Sequence, residues 1–345
     1  MATGPGATKT PSARPLPFQR PVSNSSATLR RAIWLIVRVA LFLAAAWAIR
    51  GELSALTPGA LTAQLRSYGA AHLWTALACT VASFLLLGMI ELLALRDRDV
   101  ASVAPIGRRR GLLTSFVANA LSQSIGLSVV TGAAVRARSY GRKGLDALGV
   151  ARVSAFVTIS ITLGLIAAGA WALLGSSEPL RILHRSIGVR PLGWALVLAL
   201  VAYFGWSLLH ARSAIGVGKW TLRRPAPRVA GAQLALASAD WILTGAVLFV
   251  FLPPTLGIAF STLLRGYMIA QLVGVTSHVP AGAGVLEVMF LAQLADGVTS
   301  AERAALAASL VMFRIIYYLL PLCVALAVAA ASELRPGAEA HVGAR

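Results

Sequence analysis

Apolar runs long enough to cross a bilayer recur along this chain, separated by short loops that carry arginine. Residues 72–95, 145–174, 192–209 and 229–252 are such runs. A helix of about 20 apolar residues spans a hydrocarbon core of about 30 Å, because it satisfies every backbone N–H and C=O within the segment. The runs lack the period-2 alternation of an outer-membrane barrel. Only 12% of the 345 residues are charged and 57% are hydrophobic, where a soluble domain carries about 25% charged residues. The chain is therefore predicted to be an all-α polytopic membrane protein.

Loop charge sets the expected topology, since arginine and lysine gather on the cytoplasmic side. Residues 1–31, rich in Pro, Ser, Thr and Ala, read as a disordered cytoplasmic tail. The run 32–49 follows a long polar leader and reads as a retained signal-anchor rather than a cleaved signal peptide. Residues 51–71 form an external connection, and 72–95 return to a basic loop with Arg96, Arg98, Arg108, Arg109 and Arg110. Residues 145–174 cross outward. The loop 175–190 is external, against the charge rule set by its Arg181, Arg185 and Arg190, and 192–209 come back. After a second basic loop, 229–252 go out and stop at Pro253-Pro254. Residues 303–332 make the last crossing, before a short cytoplasmic tail, 333–345.

Two stretches do not fit simple crossings. Residues 119–136, NALSQSIGLSVVTGAAVR, join two short apolar runs through Ser122, Gln123 and Ser124, with arginines at both outer ends. They are expected to form a re-entrant hairpin (hairpin A) that enters and leaves on the cytoplasmic side, with two thin spanning helices as the alternative. Residues 277–287, SHVPAGAGVLE, place a proline, glycines, a histidine and a carboxylate at membrane depth. Proline and glycine disfavour a straight helix there, so 256–276 and 284–294 are expected to form hairpin B, entering from outside. Each hairpin follows one span and precedes another, in opposite orientation, as in the inverted repeats that build sites at the bilayer midplane. The expected architecture is thus about six spanning helices plus two re-entrant helical hairpins in an inverted repeat.

The formal net charge of +19 suggests nucleic acid at first sight, but the charges sit in loops beside apolar spans, where topology and anionic headgroups account for them. No nucleic-acid partner is expected. Cys79 and Cys323 lie in apolar runs, and the histidines (His72, His184, His210, His278, His341) are scattered, so neither a disulfide framework nor a metal site is expected. No nucleophile–base set, Walker loop or dinucleotide fingerprint is visible. The expectation is a protein without cofactor that is not an enzyme.

The candidate site residues are the ionisable and polar groups at membrane depth, where a charge without a partner is costly. Glu287, just past the glycine turn, reads as a site carboxylate for a cationic headgroup or a proton, or as a cap on a half-helix N-terminus. Arg136 reads as a phosphate ligand, its planar fork suiting phosphate oxygens, or as an ordinary interface arginine. Asn119, Ser122, Gln123 and Ser124 either line a cavity or satisfy the hairpin backbone. Asp240 and Arg314 have opposite signs and read as a buried pair or as site groups. Arg265 and His278 belong to hairpin B. Tyr317 shares a helical face with Arg314 and, with Tyr318 and Pro321, reads as a packing group.

Three segments carry a family resemblance: SQSIGLSVVTGAAVRARSYGRKGL (122–145), VPAGAGVLE (279–287) and FRIIYYLLP (313–321). Together they resemble the transmembrane region of lysylphosphatidylglycerol synthase/flippases, the membrane half of the multiple peptide resistance factor, over roughly residues 29–332. The resemblance implies translocation of a phospholipid, with aminoacyl-phosphatidylglycerol as one candidate, between the leaflets of a bacterial inner membrane, and the loop-charge reading places both termini on its cytoplasmic side. The resemblance carries over Arg136, Glu287 and Arg314 as cavity residues. The chain is expected to lack the synthase domain of the full type, so a separately encoded lipid-modifying enzyme is an expected partner, beside membrane phospholipid and a homo-oligomeric copy. The alternatives are a secondary transporter of a small solute or ion, with Glu287 or Asp240 as proton carrier, and a non-transporting scaffold for a separate lipid synthase.

Overall fold

A computed structural model describes residues 68–125, 128–175, 180–182, 185–209, 215–217, 220–222, 225–276 and 299–333. The expected first span (32–49), the second limb of hairpin B (284–294) and, save Glu333, both tails lie outside the described residues. So do Glu287 and His278.

Helix α1 covers Ala70–Leu95 and leads through the single turn α2, Arg98–Ala101, to α3, Arg108–Ile125. Helix α4 covers Ser128–Gly141. Helix α5, Ala147–Leu174, starts where Asp146 accepts a hydrogen bond from the Gly149 N–H at 2.8 Å, satisfying a donor the first turn leaves open. Gly144, at φ +92°, makes the preceding bend. A small hairpin, β1 (Leu180–Ile182) and β2 (Arg185–Ile187), precedes α6, Arg190–Leu209. A second, β3 (Ile215–Val217) and β4 (Trp220–Leu222), precedes α7, Pro227–Val250. Pro227 opens α7, where its missing N–H costs nothing, and Pro253-Pro254 prevent its continuation. Helices α8 (Phe260–Thr276), α9 (Ser300–Arg314) and α10 (Leu320–Glu333) complete the described chain.

Among the described residues five helical stretches are long and apolar enough to cross a membrane: Ala70–Leu95, Ala147–Leu174, Arg190–Leu208, Pro227–Val250 and Ala308–Ala331. The protein is all-α and polytopic, the two three-residue hairpins being confined to connections between helices. Its outer faces fit acyl chains rather than water. Val81, Leu85 and Met89 make an exposed stripe on α1, and Leu192, Leu198, Val201 and Leu208 are exposed on α6. Trp74, Trp171 and Trp194 are exposed within a turn or two of the start of α1, the end of α5 and the start of α6. Helix directions bring those three ends together, so the tryptophans form a belt at one interface.

Helices α1, α5 and α7 form the centre, α7 lying antiparallel to α1 and parallel to α5. Tyr68, just before α1, donates to the Phe251 carbonyl at the end of α7 at 2.7 Å. Trp241 Nε1 on α7 donates to the Ile161 carbonyl of α5 at 3.1 Å. The α5–α7 contact is close because Gly164 has no side chain: a Cβ there would come within 2.6 Å of Ala237 backbone and Cβ atoms. Small residues at such crossings are how membrane helices gain packing that the lipid does not supply.

Two differences from the sequence reading have local causes. Ser122, Gln123 and Ser124 do not break α3, which runs from Arg108 to Ile125. Ser124 donates back to the Ala120 carbonyl at 2.9 Å and Asn119 Nδ2 to the Ser115 carbonyl at 2.9 Å, so these polar side chains are satisfied within the helix. The last crossing, expected as one helix, contains a π-helical turn at Ile315–Leu319, where Leu320 N–H reaches back five residues to the Ile315 carbonyl. Pro321 explains it: the ring has no N–H for the Tyr317 carbonyl and crowds it, so the preceding turn widens.

Candidate functional site

Helix α3 and helix α4 form an antiparallel pair. Thr114 Oγ1 lies 2.6 Å from Ser139 Oγ near the open end, and a Cβ on Gly132 would sit 3.0 Å from Ser122 Oγ toward the closed end. At 18 and 14 residues, the limbs are about 27 and 21 Å long at 1.5 Å per residue, both shorter than a hydrocarbon core of about 30 Å. Arginines crowd the open end: Arg108, Arg109 and Arg110 on α3, Arg138 on α4. The pair packs through α3 on α1 and α10 and through α4 on α5.

Arg136 and Tyr140, one turn apart on α4, face the same carboxylate on α1. Arg136 Nε donates to Glu91 Oε1 at 2.8 Å and Oε2 at 3.0 Å, its Nη2 donates to Oε2 at 2.7 Å, and Tyr140 Oη donates to Oε1 at 2.7 Å. Glu91 and Tyr140 are fully buried and Arg136 is 5% exposed. Gly132, one turn before Arg136, leaves room for the guanidinium, since a Cβ there would come within 2.9 Å of Nη1. The fork geometry fixes both partners in direction as well as charge. In this arrangement the Arg136 Nε and Nη2 are engaged by Glu91.

A second buried cluster lies at the meeting of α1, α7 and the π-turn. Ser83 Oγ donates to Asp240 Oδ1 and lies 2.9 Å from Tyr317 Oη. Thr244 Oγ1 lies 2.9 Å from Tyr317 Oη and 2.8 Å from the Asp240 carbonyl. All four side chains are at most 5% exposed. Asp240 is met by the Ser83 hydroxyl, and among the described residues the ion pair recorded is Arg136–Glu91. Tyr317 is held from its ring side by Phe313, stacked at 5.4 Å between centroids, and by Phe84. A third cluster ties α5, α6 and α7: Tyr203 Oη donates to Gln233 Oε1 at 2.6 Å, and Gln233 Nε2 to Ser160 Oγ at 2.9 Å.

The other expected site residues are spread out. Arg314 is buried at the end of α9. Asn119 is spent on the α3 backbone, whereas Gln123 keeps a buried Oε1 with no hydrogen-bond partner among the described residues. Arg265 lies over the Trp171 ring at 5.4 Å, near the tryptophan belt and far from hairpin A. A cleft of about 520 Å³ opens at that same end, between His72 and Thr75 of α1, Phe249 in the last turn of α7, and Pro253 and Gly257 after it, two turns beyond Ser83. Among the described residues no group of His, Cys, Asp and Glu could hold a metal.

Sequence reasoning missed Glu91, Tyr140, Ser83 and Thr244. Glu91 had a signal: it is the one carboxylate within the run 72–95. Its nearness to Arg96 makes it read as an interface residue. The hydroxyls carried no signal, because Ser and Thr in membrane helices ordinarily bond their own i−4 carbonyl, as Thr80 does to Ala76.

The chain matches no protein-family model. It is similar to uncharacterized protein slr0712 of Synechocystis, 29% identical over 287 residues, 80% of this chain and 87% of that protein. It is also similar to inner membrane protein YbhN of Escherichia coli, 28% identical over 264 residues, 76% of this chain and 80% of that protein. Phosphatidylglycerol lysyltransferase of Staphylococcus haemolyticus is 24% identical over 214 residues, 61% of this chain but only 24% of that protein. The chain is therefore a membrane protein with an inner-membrane relative, and it shares a limited region with a lipid-modifying enzyme.

Proposed function

We propose that the chain is a flippase-like protein of the bacterial inner membrane that moves a phospholipid between leaflets without transforming it. The observation that carries this reading is the Glu91–Arg136 pair: an ionised fork buried at the packed face of a helical hairpin whose limbs are too short to span. A buried ionisable group on a membrane helix is by default a candidate for function. In this reading the hairpin is re-entrant from the cytoplasmic side. A lipid phosphodiester competes with Glu91 for the Arg136 fork, since guanidinium matches either group in two parallel bonds. The exchange keeps Arg136 paired while the headgroup enters, and the released Glu91 carboxylate then takes a proton or a cationic headgroup substituent in its place. Glu287 then meets a cationic headgroup substituent, and Arg314 a second phosphate contact. The likeness to a phosphatidylglycerol lysyltransferase supports a glycerophospholipid as cargo, and a separately encoded lipid-modifying enzyme would supply it.

The test is translocation of fluorescent phosphatidylglycerol in proteoliposomes. The intact protein is expected to equilibrate the label between leaflets faster than protein-free vesicles do. Arg136→Ala and Glu287→Gln proteins, reconstituted at equal density, are expected to fall to the vesicle background. Translocation that both variants leave unchanged would remove these residues from the path.

A further inference from the structure

The lipid route leaves Asp240 and its hydroxyls unused. A carboxyl group that is 5% exposed at the middle of α7 needs a compensating partner when ionised. Here it has hydroxyls. They form a chain: Thr244 Oγ1, Tyr317 Oη, Ser83 Oγ and Asp240 Oδ1, with 2.9 Å between the first pair and 2.9 Å between the second. Each hydroxyl has one proton to give and lone pairs to receive. With Asp240 ionised, Thr244 donates to Tyr317, Tyr317 to Ser83, and Ser83 to the carboxylate. With Asp240 protonated the chain can reverse: Asp240 donates to Ser83, Ser83 to Tyr317, and Tyr317 to Thr244. Thr244 then gives its proton to the Asp240 backbone carbonyl, which its Oγ1 already reaches at 2.8 Å. That carbonyl is what makes the second direction complete, so neither protonation state strands a buried donor.

We propose that Asp240 is a proton-binding site whose Ser83–Tyr317–Thr244 hydroxyl chain reverses when one proton is taken up. Uptake changes the local charge from −1 to 0 and involves no other reactant. The reversal is felt at the π-turn Ile315–Leu319, because Tyr317 belongs to it and widened turns are places where a helix rearranges. The titratable or charged groups on the surrounding elements leave the site its own proton. Glu91 on α1 is held by Arg136, two turns from Ser83. Arg314 closes α9, before the π-turn. Tyr318 of the π-turn and Tyr267 of α8 are phenols on the same side. Tyr203 of α6 bonds Gln233, two turns from Asp240, and Arg152 sits near the far end of α5. The proposal does not depend on lipid being the cargo.

Infrared difference spectra of the full chain in lipid, recorded as pH is stepped, test it directly. Among the carboxyl C=O bands that grow as pH falls, one component is expected to be missing from the Asp240→Asn protein. Ser83→Ala removes the donor to the carboxylate. A bond to an ion is about twice as strong as a neutral one, so the ionised form loses more and the apparent proton affinity should rise about tenfold. Carboxyl bands that Asp240→Asn leaves unchanged, or a midpoint of the Asp240 component unmoved by Ser83→Ala, overturn the proposal. Failed lipid translocation beside an intact titration counts against the lipid reading alone.

Discussion

A buried charge is tolerated here only as part of a set, and Glu91 with Arg136 is the test of that rule. Removing one member leaves the other ionised and buried, which costs about 3–5 kcal/mol, whereas replacing both by apolar groups of similar volume is often neutral. Arg136→Met and Glu91→Leu are each expected to destabilise the protein by about 3–5 kcal/mol, with Tyr140 adding to the second because its hydroxyl loses its acceptor. The double variant should recover most of the loss, as read by reversible unfolding in mixed micelles. Additive single effects would mean that the two side chains do not act as a pair. The pairing also shows what a sequence withholds. Arg136 stands out by its place after TGAAV. Its partner lies 45 residues earlier, and nothing local links the two. The hydroxyls around Asp240 were less legible still, since their meaning comes from three elements that meet only in the fold.

At the scale of elements, the crossings were legible because hydrophobic length alone specifies them. Expected 72–95, 145–174 and 192–209 became Ala70–Leu95, Ala147–Leu174 and Arg190–Leu209. How those helices approach one another was not legible, because it turns on single glycines. Gly164 is the clearest case. Ala237 backbone atoms lie within 2.8 Å of where its Cβ would be, and backbone cannot move aside as a flexible side chain can. Gly164→Leu should push α5 from α7 and strain the Trp241–Ile161 and Gln233–Ser160 hydrogen bonds beside it. Overpacking of this kind costs about 1–3 kcal/mol or more. Thermal unfolding in detergent is expected to show the loss. Gly141→Leu, at a position with nothing within 4 Å of the added Cβ, serves as the control and should be near neutral. The π-turn belongs to this scale too. Pro321 was visible in the sequence, yet a proline in a membrane helix can kink it, widen it or end it, and only the packing of Tyr317 against Phe313 and Phe84 selects among these.

For the whole molecule, the arrangement of ends decides whether the hairpin pair α3–α4 dips into the bilayer and returns. Contacts divide the helix ends into two sets. Tyr68, Phe251, Gly175, Arg265 and Ser309 meet at one end: Tyr68 and Ser309 both donate to the Phe251 carbonyl at 2.7 Å, and a Cβ on Gly175 would lie 3.1 Å from Arg265 Nε. At the other end Leu95 meets Gly111, where a Cβ would lie 2.9 Å from the leucine, and Thr114 meets Ser139. By loop charge the second set is expected on the cytoplasmic side, given Arg108, Arg109, Arg110, Arg142 and Lys143. The loop with Arg181 and Arg185, expected outside, opposes that rule, so charge by itself does not close the argument. Three glycines allow a direct measurement, because an added Cβ at Gly107, Gly141 or Gly188 meets nothing within 4 Å. Single cysteines at these positions, in a background with Cys79 and Cys323 replaced, are expected to keep the fold. Gly107→Cys and Gly141→Cys should react with a membrane-impermeant thiol reagent from the same side, the cytoplasmic one. Gly188→Cys, beyond α5, should react from the other. If Gly107→Cys and Gly141→Cys report opposite sides, α3 and α4 do not return to where they entered, and the route proposed for the headgroup beside Arg136 loses its entrance.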